Sequence, residues 1–326
     1  MTVEPGTRLM PADAAGIAAA ARCLQAGGLA AFPTETVYGL GADARQGEAV
    51  ARLYAAKGRP AFNPLIAHVA DVASARRMGE FNADAERLAA AFWPGPLTLV
   101  VPKRSDCSVS DLALAGLDTI ALRVPAHPVA QALLREFGGP LAAPSANRSG
   151  HVSPTTAAHV LADLRGRIDL ILDGGPSTVG LESTIVACID APVLLRAGGL
   201  PREEIERALA RALGNPAKPE KPVAPGMLAS HYAPKATLRL NAGDVRADEA
   251  LLAFGPNAPA APMTLNLSPR GDLVEAAANL FSHLRALDAS GACVIAVMPI
   301  PHDGLGEAIN DRLVRAAAPK ESMRSG

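Results

Sequence analysis

The sequence predicts an α/β protein of two domains, and three observations support this prediction. The chain has 326 residues, which is too long for one small module and suits two domains. Short apolar runs of strand length alternate with longer segments of helical periodicity. The alternation stops in a proline-rich stretch, residues 215–226, which is typical of a semi-extended linker. We therefore expect a first domain at 1–210, a linker at 211–235 and a second domain at 236–326.

In the first domain, helices are expected where capping residues precede apolar periodicity, and strands where short apolar runs occur. Asp13 is a candidate N-cap, and Gly27 with Gly28 would end the first helix. The segment 153–155 (Ser-Pro-Thr) has the chemistry of a capped N-terminus. Helices are expected at 14–24, 48–56, 83–92, 128–137, 155–164 and 201–213. Strands are expected at 29–32, 65–69, 97–101, 119–124, 168–172, 183–189 and 193–195.

In the second domain, strands and helices alternate one by one. The expected order is strand 237–240, helix 248–253, strand 263–267, helix 273–287, strand 293–298 and helix 305–317. Strict alternation of this kind predicts a small parallel sheet, as in a Rossmann-like α/β domain.

Composition excludes several classes of protein. Hydrophobic residues make up 49% of the chain and charged residues 19%, which excludes a disordered chain. Lys and Arg number 31 against 32 Asp and Glu, so the net charge of −1 argues against a protein that coats nucleic acid. Aromatic residues make up only 3%, which leaves few platforms on which bases could stack.

Cysteine spacing and hydropathy indicate the compartment. The four cysteines are far apart and form no C-x-x-C pair, so neither a zinc knuckle nor a disulfide framework is expected. No apolar run reaches the roughly 18 to 20 residues that span a bilayer. The alanine-rich stretch near the start lacks the basic residues of a signal peptide. These observations predict a cytoplasmic protein.

Neither of two glycine-rich signatures of nucleotide binding is satisfied. The segment 39–44 (GLGADA) fits G-x-G-x-x-A, but a polar segment separates it from the preceding strand. No acidic residue follows at the distance that ribose binding requires. The chain also has no G-x-x-x-x-G-K-[ST], so a Walker loop is excluded.

Basic and hydroxyl side chains supply a better candidate site. Lys57 and Arg59 stand two apart after a predicted helix, where they would suit a polyphosphate or, alternatively, oppose the helix dipole. Residues 144–156 (PSANRSGHVSPTT) would bind an anion or simply form a capped loop. Arg123 and Arg196 each lie in an apolar strand and need an anionic partner.

No Ser-His-Asp arrangement, H-E-x-x-H motif or cluster of metal ligands accompanies these residues. A basic, hydroxyl-rich pocket without a nucleophile suits catalysis by positioning and charge neutralisation, as in phosphoryl or nucleotidyl transfer.

The same segments resemble the L-threonylcarbamoyladenylate synthase family, whose catalytic unit is a YrdC-like domain, in its long two-domain form. The matching segments, in family order, are PTETVYGLGADA (33–44), KGRPAFNPLIAHV (57–69), FWPGPLTLVV (92–101), ALRVP (121–125), PSANRSGHVSPTT (144–156), ESTIV (182–186), LLRAGG (194–199) and PGMLASHYAPK (225–235). The resemblance implies a twisted mixed α/β sheet around a large concave cavity, followed by the smaller Rossmann-like domain.

The resemblance also implies a reaction. L-Threonine and bicarbonate would give N-carboxythreonine, whose carboxylate attacks the α-phosphorus of ATP to form threonylcarbamoyl-AMP and pyrophosphate. A downstream transferase complex would then modify adenosine 37 of tRNAs that read ANN codons, so contact with tRNA is indirect. Mg²⁺ would be held by the phosphates of ATP and not by ligands from the protein.

Site residues follow from the resemblance position by position. Lys57 and Arg59 would be the catalytic residues. The L-threonine site would comprise Thr36, His68, Arg123, Ala143 and Ser183. ATP would contact Arg59, Asn63, Thr119, Ser145, Asn147, Ser153, Arg196 and Tyr232. Tyr232, with His231 beside it, would fold back over the nucleotide as part of a lid that the second domain restrains.

Two alternatives remain open. The first is an RNA-binding YrdC-like module without turnover, which the near-neutral charge and few aromatics disfavour. The second is a carbamoyl-transfer enzyme of the hydrogenase-maturation type, which shares this domain. Those enzymes also carry zinc fingers, and this chain has no C-x-x-C.

Overall fold

The structure is a computed structural model that describes residues 6–215 and 232–318. Its strands form two sheets, one of ten strands and one of four. The ten-stranded sheet contains β1 (Arg8–Pro11), β2 (Ala30–Phe32), β3 (Gly39–Asp43), β4 (Ile66–His68), β5 (Leu97–Pro102), β6 (Thr119–Arg123), β7 (Leu141–Ala142), β8 (Leu170–Asp173), β9 (Thr184–Ala187) and β10 (Val193–Arg196).

Helices separate many of these strands along the chain. They are α1 (Ala14–Gln25), α2 (Gly47–Lys57), α3 (Val72–Arg76), α4 (Ala83–Phe92), α5 (Asp111–Leu114), α6 (Pro128–Phe137), α7 (Ala157–Leu164) and α8 (Arg202–Leu209). The predicted N-cap of the first helix is confirmed, because the Asp13 carboxylate accepts a hydrogen bond from the backbone N–H of Gly16 at 2.8 Å.

The large sheet is mixed, as expected. Its strand order is β1-β8-β2-β3-β7-β4-β6-β5-β9-β10. The pair β4 and β6 is parallel, and its register sets His68 opposite Arg123 at the carboxyl ends of both strands. Strand β7 runs antiparallel beside β4 and leads into Ala143 and the hydroxyl-rich loop. These three adjacent strands therefore place segments that are distant in sequence side by side, and the backbone N–H of Ala143 donates to the carbonyl oxygen of Ile66 at 3.1 Å.

The second sheet is wholly parallel, which confirms the Rossmann-like expectation. Its order is β11-β14-β12-β13. The elements are β11 (Thr237–Arg239), β12 (Ala250–Ala253), β13 (Thr264–Asn266), α9 (Leu273–Ala289), β14 (Val294–Val297) and α10 (Leu305–Ala317). Helix α9 supplies much of the core through buried residues such as Leu280 and Phe281.

One helix prediction in this domain is wrong. Residues 248–253 were expected to be helical, but their apolar part forms β12, between β13 and β14. All four residues of β12 are buried. The helix propensity of a short run of Ala and Leu is too weak to outweigh pairing with two neighbouring strands. A fully buried strand also lacks the alternation of apolar and polar residues by which strands are recognised in a sequence.

Smaller differences occur in the first domain. Strands β1, β3 and β7 and the short helices α3 and α5 were not expected. The glycine-rich segment 39–44 contains all of β3, which pairs antiparallel with β2 and β7, so it is not a phosphate-binding turn. Helix α7 begins at Ala157 and not at residue 155, because the N-cap is Thr156, whose hydroxyl accepts from the N–H of His159 at 3.3 Å.

The two sheets belong to regions that pack directly on each other. A single hydrophobic cluster joins Val152 and Leu181 to residues of α9. Gly180, at φ +75°, lies against the backbone of α9, and a Cβ there would come within 2.4 Å of the carbonyl oxygen of Ala277. Only glycine permits so close an approach in that backbone conformation.

No helix in residues 6–215 or 232–318 is long and apolar enough to cross a membrane. Most of the expected linker, with His231, lies outside the described residues. Its predicted action as a lid, and the domain boundaries near it, therefore stay predictions.

Candidate functional site

A polar cavity opens where β4, β6 and the segments after β2, β7 and β8 converge. It contains about 550 Å³ of empty space, including its open mouth. The lining residues are Thr34, Thr36, Val37, Gly39, Arg59, Ile66, His68, Arg123, Ala143, Pro144, Ser145, Glu182, Ser183, Arg196 and Tyr232. The fold thus brings most of the residues expected at the threonine and ATP sites into one cavity.

Arg123 is held in place by a buried carboxylate. Its guanidinium pairs with Glu35 at 2.5 Å and donates to the Thr36 hydroxyl at 2.9 Å. The other Glu35 oxygen accepts from the backbone N–H groups of Ala126 and His127, at 3.1 and 3.3 Å. Burial raises the pKa of Glu35, but Arg123 and the backbone donors outweigh this and hold it below its ordinary value. The pair is therefore ionised, and the direction of the arginine is fixed.

His68 faces the same part of the cavity as a neutral ring. Its Nδ1 lies 3.3 Å from the carbonyl oxygen of Ile66. Burial, together with the nearby charge of Arg123, lowers the pKa of His68 to about 3. At neutral pH the ring therefore offers a hydrogen bond without adding charge. We call Thr36, His68 and Arg123 the Arg123 side of the cavity.

Ser183 lies between this side and a second basic group. Its hydroxyl is 2.8 Å from that of Thr98, and Arg196 Nη2 lies 2.8 Å from its carbonyl oxygen and 3.2 Å from its hydroxyl. Burial lowers the pKa of the Arg196 guanidinium, which is only 8% exposed. The start of β9 therefore carries a hydroxyl that is oriented from two directions.

Arg59 supplies positive charge without a carboxylate beside it. Its guanidinium donates to the carbonyl oxygens of Asn63 and Pro64, at 3.4 and 3.1 Å. No ion pair to Arg59 forms within residues 6–215 and 232–318. Burial lowers its pKa to about 10, so it stays charged at neutral pH. We call Arg59, Arg196 and Tyr232 the Arg59 side.

Lys57 lies behind the cavity wall and does not line it. Its ammonium donates to the carbonyl oxygens of Ser145 and Asn147, both at 2.5 Å. Its own carbonyl accepts from the N–H of Ser149 at 2.8 Å. Burial and the charge of Arg59 place the pKa of Lys57 well below its ordinary value. Lys57 therefore fixes the hydroxyl-rich loop at the end of α2.

The remaining residues expected at the ATP site do not line the cavity. Asn63 and Asn147 are both buried, at 1% exposure, and each has a side-chain oxygen with no hydrogen-bond partner among the described residues. Ser153 donates to Glu182. Thr119 starts β6 opposite Pro102, at the other end of the strand from Arg123. Thr119 therefore lies away from the cavity, and the structure does not bring it into the site.

Sequence reasoning missed two carboxylates at the site. One is Glu35, which pairs with Arg123 but does not line the cavity. The other is Glu182, which lines the cavity and accepts from Ser153 on one oxygen and from Arg312 on the other, at 2.9 Å. Each lies inside a recognised segment, so the need of strand arginines for anionic partners was an available signal. Arg312 left no such signal, because an arginine on an amphipathic helix is ordinary.

Tyr232, near the end of the expected linker, also lines the cavity. Its ring stacks on Phe281 of α9, with centroids 5.6 Å apart and planes at 24°. It is 1% exposed and has φ +63°, a conformation uncommon outside glycine. The second domain thus fixes a residue that faces the cavity.

The cavity has the composition of a site for anions. Three arginines and five hydroxyl-bearing side chains line it, and the carboxylate of Glu182 in its lining is ion-paired with Arg312. No group of three or more His, Cys, Asp or Glu in the described ranges could hold a metal ion. Fixed donors in a partly water-excluded cavity suit charge neutralisation. The fold and site therefore define an α/β protein with a cavity whose lining suits small anionic ligands.

Comparison with known families identifies this class further. A family described as "Telomere recombination" matches residues 22–198, and one described as "Threonylcarbamoyl-AMP synthase, C-terminal domain" matches residues 200–318. The threonylcarbamoyl-AMP synthase of Bacillus subtilis is 42% identical over 92% of both chains. That of Pyrococcus abyssi is 44% identical over 91% of this chain and 93% of its own. The chain belongs to the threonylcarbamoyl-AMP synthase family, in its two-domain form.

Solved structures agree with this assignment. The crystal structure of P. abyssi Sua5 complexed with L-threonine matches with a TM-score of 0.86 at 40% identity, over 92% of this chain and 94% of that one. The crystal structure of E. coli YciO covers 59% of this chain and 96% of its own, with a TM-score of 0.53 at 24% identity. The first likeness extends over both domains, and the second supports the mixed α/β fold of the first domain alone.

Proposed function

We propose that this protein is a threonylcarbamoyl-AMP synthase that condenses L-threonine, bicarbonate and ATP. One observation carries the proposal: a single cavity joins a locked arginine, Arg123, to an arginine with no carboxylate partner among the described residues, Arg59. The first suits the carboxylate of an amino acid and the second suits a phosphate. Membership in the family points to the same pair of substrates.

L-Threonine binds on the Arg123 side. The guanidinium shares its charge between Glu35 and the substrate carboxylate, while Thr36, neutral His68 and Ser183 offer hydrogen bonds to the remaining polar groups. The backbone of Ala143 forms part of the same wall. The P. abyssi relative was crystallised with L-threonine, which supports placing the amino acid in this cavity.

ATP binds on the Arg59 side. Arg59 and Arg196 neutralise the triphosphate, and Ser145 donates to it from a loop that Lys57 fixes. Asn63, Asn147 and Ser153 support that loop and wall from behind, and Tyr232 covers the nucleotide. Lys57 is therefore a positioning residue in this proposal, and Thr119 has no direct contact.

The chemical step is an in-line displacement. The carboxylate oxygen of N-carboxythreonine forms a bond to the α-phosphorus, and the bond from that phosphorus to the bridging oxygen of pyrophosphate breaks. Positive charge from Arg59 and Arg196 stabilises the charge that develops on the phosphate oxygens. No covalent intermediate with the protein is required, which fits a cavity lined by hydroxyls without an adjacent general base.

Mg²⁺ enters with ATP. The cavity offers arginine and hydroxyl groups, and the two carboxylates at the site, Glu35 and Glu182, are engaged by Arg123 and Arg312, so the phosphate oxygens are the better ligands for a hard cation. Bound there, Mg²⁺ would neutralise phosphate charge. The product would be passed to a separate transferase complex that modifies adenosine 37 of ANN-decoding tRNAs in the cytoplasm, so tRNA is not a direct ligand.

The decisive experiment measures pyrophosphate release by the purified protein with ATP, Mg²⁺ and bicarbonate. Release is expected with L-threonine and not with serine or valine. Salt-dependent tRNA binding without any amino-acid-dependent release would instead favour an RNA-binding module, and it would overturn this proposal.

A further inference from the structure

Arg312 is a buried charge that the second domain inserts into the wall of the cavity. It lies in α10 and is 0% exposed. Its Nε donates to Glu182 at 2.9 Å, and its Nη2 donates to the carbonyl oxygen of Ala197 at 2.9 Å. Its Nη1 donates to Asp311 at 2.6 Å. The guanidinium therefore ties α10 to the segments on both sides of β9 and β10.

Glu182 is the partner that faces the cavity. It is 6% exposed, and its second oxygen accepts from Ser153. Burial raises the pKa of this carboxyl, but Arg312 and Arg196 outweigh burial and hold the pKa below its ordinary value. The carboxylate is thus ionised in a cavity that otherwise suits anions. Without Arg312 its charge would repel a phosphate and would itself be poorly compensated.

Tyr232 is the second group that Arg312 supports. The centre of the guanidinium lies 5.2 Å from the centroid of the Tyr232 ring, within the range of a cation–π contact. Phe281 stacks on the same ring. The ring therefore packs between an arginine and a phenylalanine of the second domain.

We propose that Arg312 is a positioning residue of the second domain, which neutralises Glu182 and holds Tyr232 so that the cavity accepts ATP. This inference rests on the proposed function, because it concerns the nucleotide side of that same site. It assigns the second domain a direct share in substrate affinity.

Another ion pair between the same two regions provides a matched control. Arg202 of α8 pairs with Glu307 of α10 at 2.7 Å, and both side chains are partly exposed. This pair also ties α10 to the first domain, but neither residue lines the cavity. A variant at Glu307 therefore loosens the interface without altering Glu182 or Tyr232.

The test compares full-length Arg312→Met and Glu307→Gln with the unmodified protein. Isothermal titration calorimetry with ATP and Mg²⁺ reports affinity, and pyrophosphate release reports KM and kcat. Arg312→Met should weaken ATP binding at least tenfold, whereas Glu307→Gln should change it less than twofold. Equal effects in the two variants, at matched thermal stability, would show that Arg312 merely joins the domains.

A double variant separates charge from packing. Glu182→Gln combined with Arg312→Met removes the uncompensated carboxylate, so ATP affinity should recover by several-fold over Arg312→Met alone. A further loss, additive with that of Glu182→Gln alone, would overturn the proposal. If Arg312→Met does not fold, Arg312→Lys keeps the charge but loses the planar fork, and it should weaken ATP binding several-fold relative to the unmodified protein; unchanged affinity there would also overturn the proposal.

The two proposals fail in different ways. Unmodified protein that binds ATP but releases no pyrophosphate with threonine would contradict the synthase activity and leave the Arg312 comparison intact. Threonine-dependent release with normal ATP affinity in Arg312→Met would contradict only the role of Arg312. Unmodified protein that binds no ATP would overturn both.

Discussion

The two sides of the cavity balance positive charge in opposite ways. On the Arg123 side, the guanidinium forms a 2.5 Å ion pair with buried Glu35. On the Arg59 side, the guanidinium of Arg59 donates only to backbone carbonyls within the described residues. The first charge is compensated by the protein itself, and the second is left for a ligand. Changes on the first side should therefore act mainly on stability, and changes on the second mainly on affinity.

The largest effect is expected when the ion pair between Arg123 and Glu35 is broken. Glu35→Gln removes one partner of a buried ion pair and leaves Arg123 without a counter-charge, so the free energy of unfolding should fall by about 3–5 kcal/mol. Urea denaturation measures this directly. Glu86→Gln, at the exposed pair with Arg76, is the control and should cost under about 1 kcal/mol. Similar losses in both variants would remove the distinction between buried and exposed pairs.

Arg59→Ala tests the other side. The value of kcat/KM for ATP should fall by about 100-fold, as when one donor to a developing charge is removed, while the melting temperature changes little. Folding survives because no carboxylate among the described residues loses its partner. Pyrophosphate release and calorimetry provide the two readouts, with Arg77→Ala, an exposed arginine, as control. An unchanged rate would place Arg59 outside the site.

Lys57→Met tests whether a residue that does not line the cavity affects ATP binding on the Arg59 side. The carbonyls of Ser145 and Asn147 lose a charged donor, so the loop should loosen and KM for ATP should rise about tenfold. Because Lys57 does not line the cavity, kcat at saturating ATP should change less than KM. Lys103→Met, at a partly exposed lysine, controls for the loss of charge. A fall in kcat alone would indicate direct participation in the chemistry.

His68→Gln gives the smallest expected effect on stability at neutral pH, because its contribution appears only as the pH falls. The pKa of His68 is about 3 in the folded protein and near 6.5 when unfolded. Between these values the unfolded chain binds the extra proton, so His68 makes stability fall as pH drops, by up to about 1.4 kcal/mol per unit. The variant should lose stability less steeply between pH 6.5 and 4. Denaturation at several pH values, with exposed His302→Gln as control, measures the slope; parallel curves would contradict this assignment.

Sequence patterns predicted most of the fold because its elements carry local signals. The capped helix after Asp13 and the long helix α9 are amphipathic and long enough to be recognised. Strand β12 was missed because all four of its residues are buried and both its edges pair with strands that lie elsewhere in the sequence. Short strands such as β7 depend wholly on their partners, so no local pattern marks them.

Some site residues also carry a local sequence signal, whereas others can be recognised only from the fold. Arg123 and Arg196 were predicted because an arginine inside an apolar strand is itself unusual. The carboxylates near them, Glu35 and Glu182, were overlooked, because only the fold shows that Glu35 pairs with Arg123 and that Glu182 pairs with Arg312. Lys57 was expected among the reacting groups, yet its direction depends on the two carbonyls it meets. The residue types indicated the chemistry of the site, and the tertiary contacts showed the role of each residue.

The contact at Gly180 bears on how the two domains can change over time. There the first domain approaches the main chain of α9, at Ala277 and Ala278, and involves no side chain of its own. A contact with the main chain of the helix does not depend on most of the helix side chains, so the sequence of the second domain can diverge while the two domains pack in the same way. Glycine at position 180 then indicates whether a first domain can pack against such a helix. Exchange of second domains between relatives should succeed only in recipients that retain it.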